Sequence, residues 1–307
     1  MLPELELSEV NVLSIDPWIR CPNCGAPVQI EPRQFEAFFT GAQISCPSCN
    51  HANDWWKTCL REISDNFMFN QAFGLVSAKS IIFHLLLRPG ERTIYRLANY
   101  GIPPDAKVLY VNYTPSGPLF PVEIHGNVAT ATTPRHEVAL WPVPLGRDHA
   151  PSETKVSVFV TWVPHSQLDD SWRNIVSAFQ AYVANDYAAA VVPANVAVES
   201  SLSVTLNSYL PQYVGKERTK AFLKDAATYS HQLNVILPLL VGLLNLPSLP
   251  ENIRGLLNSL RGLRNDIAHL GAPEKPIGKE QCAELLCAAL FGFQYVQLLR
   301  KKLVPET

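Results

Sequence analysis

The sequence predicts a multidomain α+β chain, and three observations carry that expectation. Two Cys-x-x-Cys pairs stand within the first fifty residues. Short β-branched and aromatic runs, separated by Pro and Gly, fill the middle of the chain. From about residue 166 the apolar residues recur at helical spacing instead. These changes of texture divide the chain at 1–62, 63–165 and 166–307. A composition of 47% hydrophobic and 17% charged residues over 307 positions excludes a disordered chain and allows two or three domains. A formal net charge of −2 provides no global basic field, so any contact with nucleic acid must be local.

The acidic start Met1-Leu2-Pro3-Glu4-Leu5-Glu6 lacks the basic and then apolar order of a secretory leader. The longest apolar run, residues 235–246, is broken by Pro238, Gly242 and Asn245 and is too short to cross a bilayer. The expectation is a cytoplasmic protein without membrane contact.

The first segment carries Cys21-Pro22-Asn23-Cys24-Gly25 and Cys46-Pro47-Ser48-Cys49-Asn50, with 21 residues between the inner cysteines. A two-residue gap lets both sulfurs of a tight turn face one ion, and backbone amides behind them offset the thiolate charge. Cys21, Cys24, Cys46 and Cys49 are therefore the expected ligands of one Zn2+ per chain. Four thiolates leave no open coordination position, so the expected role of the metal is structural. With flanking strands expected at 17–20 and 28–30, the module resembles a zinc ribbon. Trp55, Trp56, Lys57 and Arg61 could form a surface for nucleic acid or a partner, or could cover the seam with the next domain. Cys59, Cys282 and Cys287 remain as free thiols.

The middle segment reads as an antiparallel β-sandwich, with strand-like runs at 81–87, 93–97, 108–113, 122–125, 138–143 and 156–163. His84, His125, His136, His149 and His165 are scattered through it without a cysteine or carboxylate at ligand spacing. The natural role of this segment is recognition or regulation.

The last segment reads as a bundle of five or six helices. Pro193 and Pro238 are expected to kink or bend their helices, and residues 211–215 are expected to form a loop. On a helix over 256–270, Leu256, Leu260, Leu263, Ile267 and Leu270 share one narrow stripe, the expected core face. Asn258, Arg261, Asn265 and His269 fall on the opposite side, with Arg264 and Asp266 flanking. Histidine can serve as acid or base near neutrality, and an arginine fork stays charged against phosphate. Such parts suit metal-free cleavage of a phosphodiester by its neighbouring 2′-hydroxyl. One helix supplies a single histidine, and two copies across a two-fold axis would supply a pair. The alternative is that Arg264 and Asp266 are surface charges and His269 an ordinary residue of the last helical turn.

The segment Leu263-Arg264-Asn265-Asp266-Ile267-Ala268-His269 resembles the Arg-polar-x-x-x-His signature of the HEPN superfamily. Residues 185–202, with an aromatic-then-small pattern and Glu199 in mid-helix, are similar to that family's long helix. The likeness covers roughly 170–303. It implies a metal-independent endoribonuclease active as a homodimer through the helical domain, in phage defence, a toxin–antitoxin system or RNA processing, with an antitoxin or regulatory partner. His269 would be the acid/base residue, Arg264 the phosphate-stabilising cation, and Asn265 the group that positions them. Some members carry Glu-x-x-x-Lys/Arg in the long helix, where this chain has Glu199 and Ser203. The family also contains non-catalytic members that dimerise or bind nucleotides, so a sensor or adaptor is the alternative. Arg261, with Lys216, Arg218 and Lys220, is the expected RNA-facing set. These lysines and arginines suit equally a solvated helix face.

Overall fold

The computed structural model describes residues 13–15, 18–65, 75, 78–124, 137–145, 152–164 and 170–303. Of the expectations above, His125, His136, His149 and His165 lie outside the described residues. The architecture is mixed α/β, with several small sheets and a C-terminal helical region. The chain divides into two compact units that interleave in sequence. One unit draws on Met1–Pro17 and Ala78–Gln167, the other on Trp18–Ser77 and Leu168–Thr307. The cysteine module thus belongs with the helices, and the strand before it belongs with the sheets.

The sheet unit holds two antiparallel sheets. The first has the order β1-β4-β9-β6, formed by β1 (Leu13–Ile15), β4 (Lys79–Leu87), β6 (Lys107–Pro115) and β9 (Thr154–Val163). The second has the order β5-β8-β7, formed by β5 (Thr93–Arg96), β7 (Leu119–Ile124) and β8 (Glu137–Pro144). Both contribute to one core. Phe83, Leu85 and Leu87 of β4 and Val156, Val158 and Val160 of β9 meet Tyr95, Leu119, Val138 and Leu140 there. Alternation sets this burial, because successive side chains of a strand point to opposite faces. His84 lies on the other face of β4 from Phe83, where its Nδ1 meets the Ser157 hydroxyl at 3.1 Å. It is a hydrogen-bonded sheet residue.

The second unit begins with the hairpin of β2 (Trp18–Arg20) and β3 (Pro27–Gln29). Two helices follow, α1 (Pro32–Thr40) and α2 (Trp55–Ser64), neither of which the sequence reading anticipated. The local signals for α1 are nonetheless present. Glu31 and Gln34 form a reciprocal capping box, Pro32 occupies the first turn, and Gly41 closes the helix at φ 72°. For α2, the Asp54 carboxylate accepts the Lys57 amide at 3.1 Å.

The helical region comprises α3 (Asp170–Val183), α4 (Tyr187–Tyr209), α5 (Pro211–Val214), α6 (Lys216–Asp225), α7 (residues 229–243), α8 (Glu251–Leu270) and α9 (Lys279–Leu303). The expected loop at 211–215 is mostly the short helix α5. Pro193 is carried inside α4, which continues on both sides of it. Within α7 a π turn, Gln232–Ile236, precedes Pro238. A wider turn is one way to absorb a residue that has no N–H to donate back.

The two longest helices, α4 and α9, form the middle of this unit. By length and composition alone, Tyr187–Val214 and Lys279–Leu303 could each cross a membrane, a possibility the sequence reading passed over. In this fold the apolar windows are 56% and 78% buried inside the protein, as expected of core helices. Gly292 allows the close approach of α9 to its neighbours. A Cβ there would lie 2.8 Å from a Leu257 methyl of α8 and 3.4 Å from Val198 of α4.

Helices α1 and α2 pack on α9 through aromatic rings. Phe291, fully buried, meets Phe35, Phe38 and Trp56 edge-on at centroid distances of 5.2, 4.9 and 5.1 Å. Beside this seam Glu62 is completely buried, 2.9 Å from Arg61 and 3.7 Å from Arg20. Trp55 and Trp56 therefore fill the junction between the cysteine module and the helices.

Candidate metal centre and candidate catalytic helix

The two Cys-x-x-Cys turns are built alike. Gly25 N–H donates to the Cys21 carbonyl at 3.0 Å, and Asn50 N–H to the Cys46 carbonyl at 2.9 Å. Asn23 N–H points at the Cys21 sulfur and Ser48 N–H at the Cys46 sulfur, each at 3.4 Å. Gly25 and Asn50 both take positive φ, 74° and 56°, a conformation that glycine and asparagine adopt most readily. The sequence places the two residue types that tolerate this conformation at the matching positions.

The four sulfurs of Cys21, Cys24, Cys46 and Cys49 all lie within 4.8 Å of one another and could hold a metal ion. Cys21 and Cys49 are 3.8 Å apart, Cys24 and Cys46 3.7 Å. The backbone N–H of His51 and the Asn23 side-chain amide (3.6 Å) favour the thiolate of Cys49, whose pKa falls to about 6. Cys59 and Cys287 are fully buried, and burial pushes both thiols up, the opposite of reactive cysteines.

The core face of α8 differs from the expected one. Ile253, Leu257 and Leu260 are buried, whereas Leu256, Leu263 and Ile267 are half-buried and Leu270 is 67% exposed. At 100° per residue the observed face is turned roughly 65° from the expected stripe. The reason is tertiary: α8 beds between α4 and α9, with Leu257 against Gly292, so the line of closest approach follows that groove. The rotation brings Arg264 onto the continuation of the buried line Ile253–Leu257–Leu260 and leaves it half-buried.

The polar residues of α8 consequently have separate surroundings. Asn258 does not face outward. It exchanges two amide hydrogen bonds with Asn234 of α7, at 2.9 and 3.0 Å. Arg261 is half-buried and acts electrostatically on Tyr229, as does Glu199. Arg264 donates from Nη1 to Asn265 Oδ1 at 3.1 Å. His269 is exposed in the last turn, before the left-handed Gly271 that closes the helix. Arg264 and His269 are five positions apart, which on a helix separates them by about 140°. Within one chain they do not converge on a common point.

A second polar constellation, absent from the sequence reading as a group, surrounds Arg261. Asn195 of α4 donates to Glu199 at 3.0 Å. Tyr229 comes from α7, whose π turn also holds the buried Gln232. Burial, then Glu199, push the Tyr229 phenol well above its ordinary value, while Arg261 opposes the shift. Asn195 Oδ1, Tyr229 Oη, Gln232 Oε1 and Arg261 Nε are buried and have no hydrogen-bond partner among the described residues. Only Arg261 and Glu199 had been singled out, because a tyrosine or glutamine with helical spacing looks like any other helix residue. Lys216, Arg218 and Lys220 are exposed on α6.

Comparison with family models, with curated proteins and with solved structures gives no match. The family reading therefore rests on the sequence motif of α8 and the order of the helices.

Proposed function

We propose that the chain is a metal-independent endoribonuclease of the HEPN type that works as a dimer, its two-sheet unit a β-sandwich used for recognition. The observation that carries this reading is the end of α8. Arg264 is held by Asn265, and the exposed His269 stands one turn on, in a different direction. A cation held in place and a free imidazole on the same helix end make half of an acid–base site. A second copy across a two-fold axis supplies the other half, so that the arginine of one chain and the histidine of its partner can address one phosphate. Because Asn258 is engaged by α7, the surface available to that copy is the last turns of α8, from Asn265 to His269. Lys216, Arg218 and Lys220 supply the local positive charge for RNA that the net charge does not.

The four cysteines hold zinc in this reading. A tetrahedron with metal–sulfur bonds of about 2.3 Å has sulfur–sulfur edges of roughly 3.8 Å, and the measured pairs are 3.8 and 3.7 Å. Zinc bound there stabilises the module and takes no part in cleavage.

Cleavage of a mixed-sequence RNA in the presence of a chelator, by wild type and by His269→Ala and Arg264→Ala, tests the activity. The expected result is cleavage with 2′,3′-cyclic phosphate ends by wild type, reduced at least about 100-fold in either variant, as for loss of an acid–base group. Equal rates in all three, or no cleavage by wild type, leaves the second reading, a non-catalytic adaptor. The observation favouring that reading is the 140° separation of the two side chains on α8, estimated at about 100° per residue.

A further inference from the structure

The outer face of the sheet β5-β8-β7 departs from the alternation that governs a solvated sheet. An antiparallel sheet with one face on a core ordinarily presents polar side chains on the other. Here the inner face carries Tyr95, Val138, Leu140 and Leu119. The outer face is apolar as well, and the register aligns it in rows. Ala139 pairs with Ile94 on one side and Ile124 on the other, Trp141 pairs with Val122, and Val143 pairs with Phe120. Phe120, Val122, Ile124, Trp141 and Val143 are each 40 to 44% exposed, and Leu145 beyond them 60%. The charged pair on this face is Arg96 and Glu137, at one corner, bound to each other at 2.8 Å.

We propose that this face is an interface between two copies of the chain, packed sheet against sheet about a two-fold axis. Three considerations select a second copy over other occupants. The face exposes on the order of 500 Å² of apolar surface, so two copies together bury about 1,000 Å², the lower bound for a specific association. Interfaces between identical chains are more apolar than those of transient complexes, and this face has a minimum of polar groups. Among the described residues of the three strands, the charged groups on this face are Arg96 and Glu137, which satisfy each other, so bringing the strands' faces together sets no unpaired like charges of these strands against one another. Trp141 stands beside the small Ala139 on one face of β8, which gives the surface a knob and a hollow for its copy. This interface is distinct from the last turns of α8 and does not depend on ribonuclease activity.

Sedimentation velocity on the full-length, metal-loaded chain at rising concentration provides the test. The expected result is that Val122→Lys or Trp141→Glu halves the mass of the species that wild type forms at micromolar concentration. The conservative Val122→Ile should keep the wild-type mass. Melting temperatures of the charged variants should match that of wild type diluted below its association range, because both positions face outward in the single chain. Independently of any variant, amide exchange of residues 120–124 and 139–143 in wild type should slow as concentration rises. An unchanged mass in both charged variants, or exchange at these amides that is independent of concentration, overturns the proposal. Co-flotation of wild type, but not Val122→Lys, with phosphatidylcholine vesicles also overturns it in favour of a lipid surface. RNA cleavage that survives in Val122→Lys separates this interface from the catalytic reading.

Discussion

Tyr229 illustrates how much depends on single polar atoms. Its ring is buried, yet its hydroxyl has no partner among the described residues, and it lies under the influence of Glu199 and Arg261. A buried hydroxyl without a hydrogen bond contributes a desolvation cost and no gain. Tyr229→Phe should therefore leave stability unchanged within about 0.5 kcal/mol or raise it by up to about 1 kcal/mol, read from urea denaturation. A loss above that range would mean that solvent or a ligand satisfies the hydroxyl. At the metal centre the expectation is opposite in sign. Cys46 is fully buried, and its sulfur both faces Cys24 and accepts the Ser48 amide. Cys46→Ser should reduce bound metal, measured by mass spectrometry of the eluted ion, from about one per chain to none under dialysis.

At the scale of elements, the junction of α1, α2 and α9 holds the cysteine module to the helices. Phe291 meets Phe35, Phe38 and Trp56 there. Removing its ring leaves a cavity in packed surroundings, so Phe291→Ala should cost about 3–5 kcal/mol. Gly292, its neighbour, fails for the opposite reason. A Cβ already meets Leu257 at 2.8 Å, so Gly292→Val should cost about 1–3 kcal/mol through overpacking. Thermal melting followed by circular dichroism checks both. These effects should appear in the melting of the helical unit, because α4 and α9 are its packed centre.

For the whole molecule, the main consequence of the fold is that the four cysteines and the packed helices belong to one compact unit. The cysteine turns, α1 and α2 lie in the same compact unit as α3 to α9. An independent zinc module would melt on chelation and leave the helices untouched. Here, removal of the metal with a thiol-competent chelator should lower the melting temperature of the helical signal at 222 nm. Binding free energy at such a site is folding free energy for whatever packs on it. An unchanged helical transition after complete metal loss would show that the aromatic seam holds α9 without the metal-bound turns.

Some of this was legible from residues alone. The cysteine turns were, because their chemistry is local: two sulfurs two residues apart, then Gly25 or Asn50 where a left-handed residue is needed. The strand runs and the helical period after 166 were legible for the same reason, since alternation and helical spacing are properties of neighbours in sequence. The helix α1 was missed although Glu31, Gln34 and Gly41 announced it, because the segment was read as the spacer between metal ligands. What tertiary structure decided is direction. The apolar positions of α8 fit more than one stripe, and only the groove between α4 and α9, with Gly292 at its floor, turned Leu257 inward and Leu270 outward. That choice placed Asn258 under α7, set Arg261 beside Tyr229 and Glu199, and left His269 exposed while Arg264 became half-buried. Which residues could do chemistry was written in the sequence; which of them share a space was set by how the helices pack.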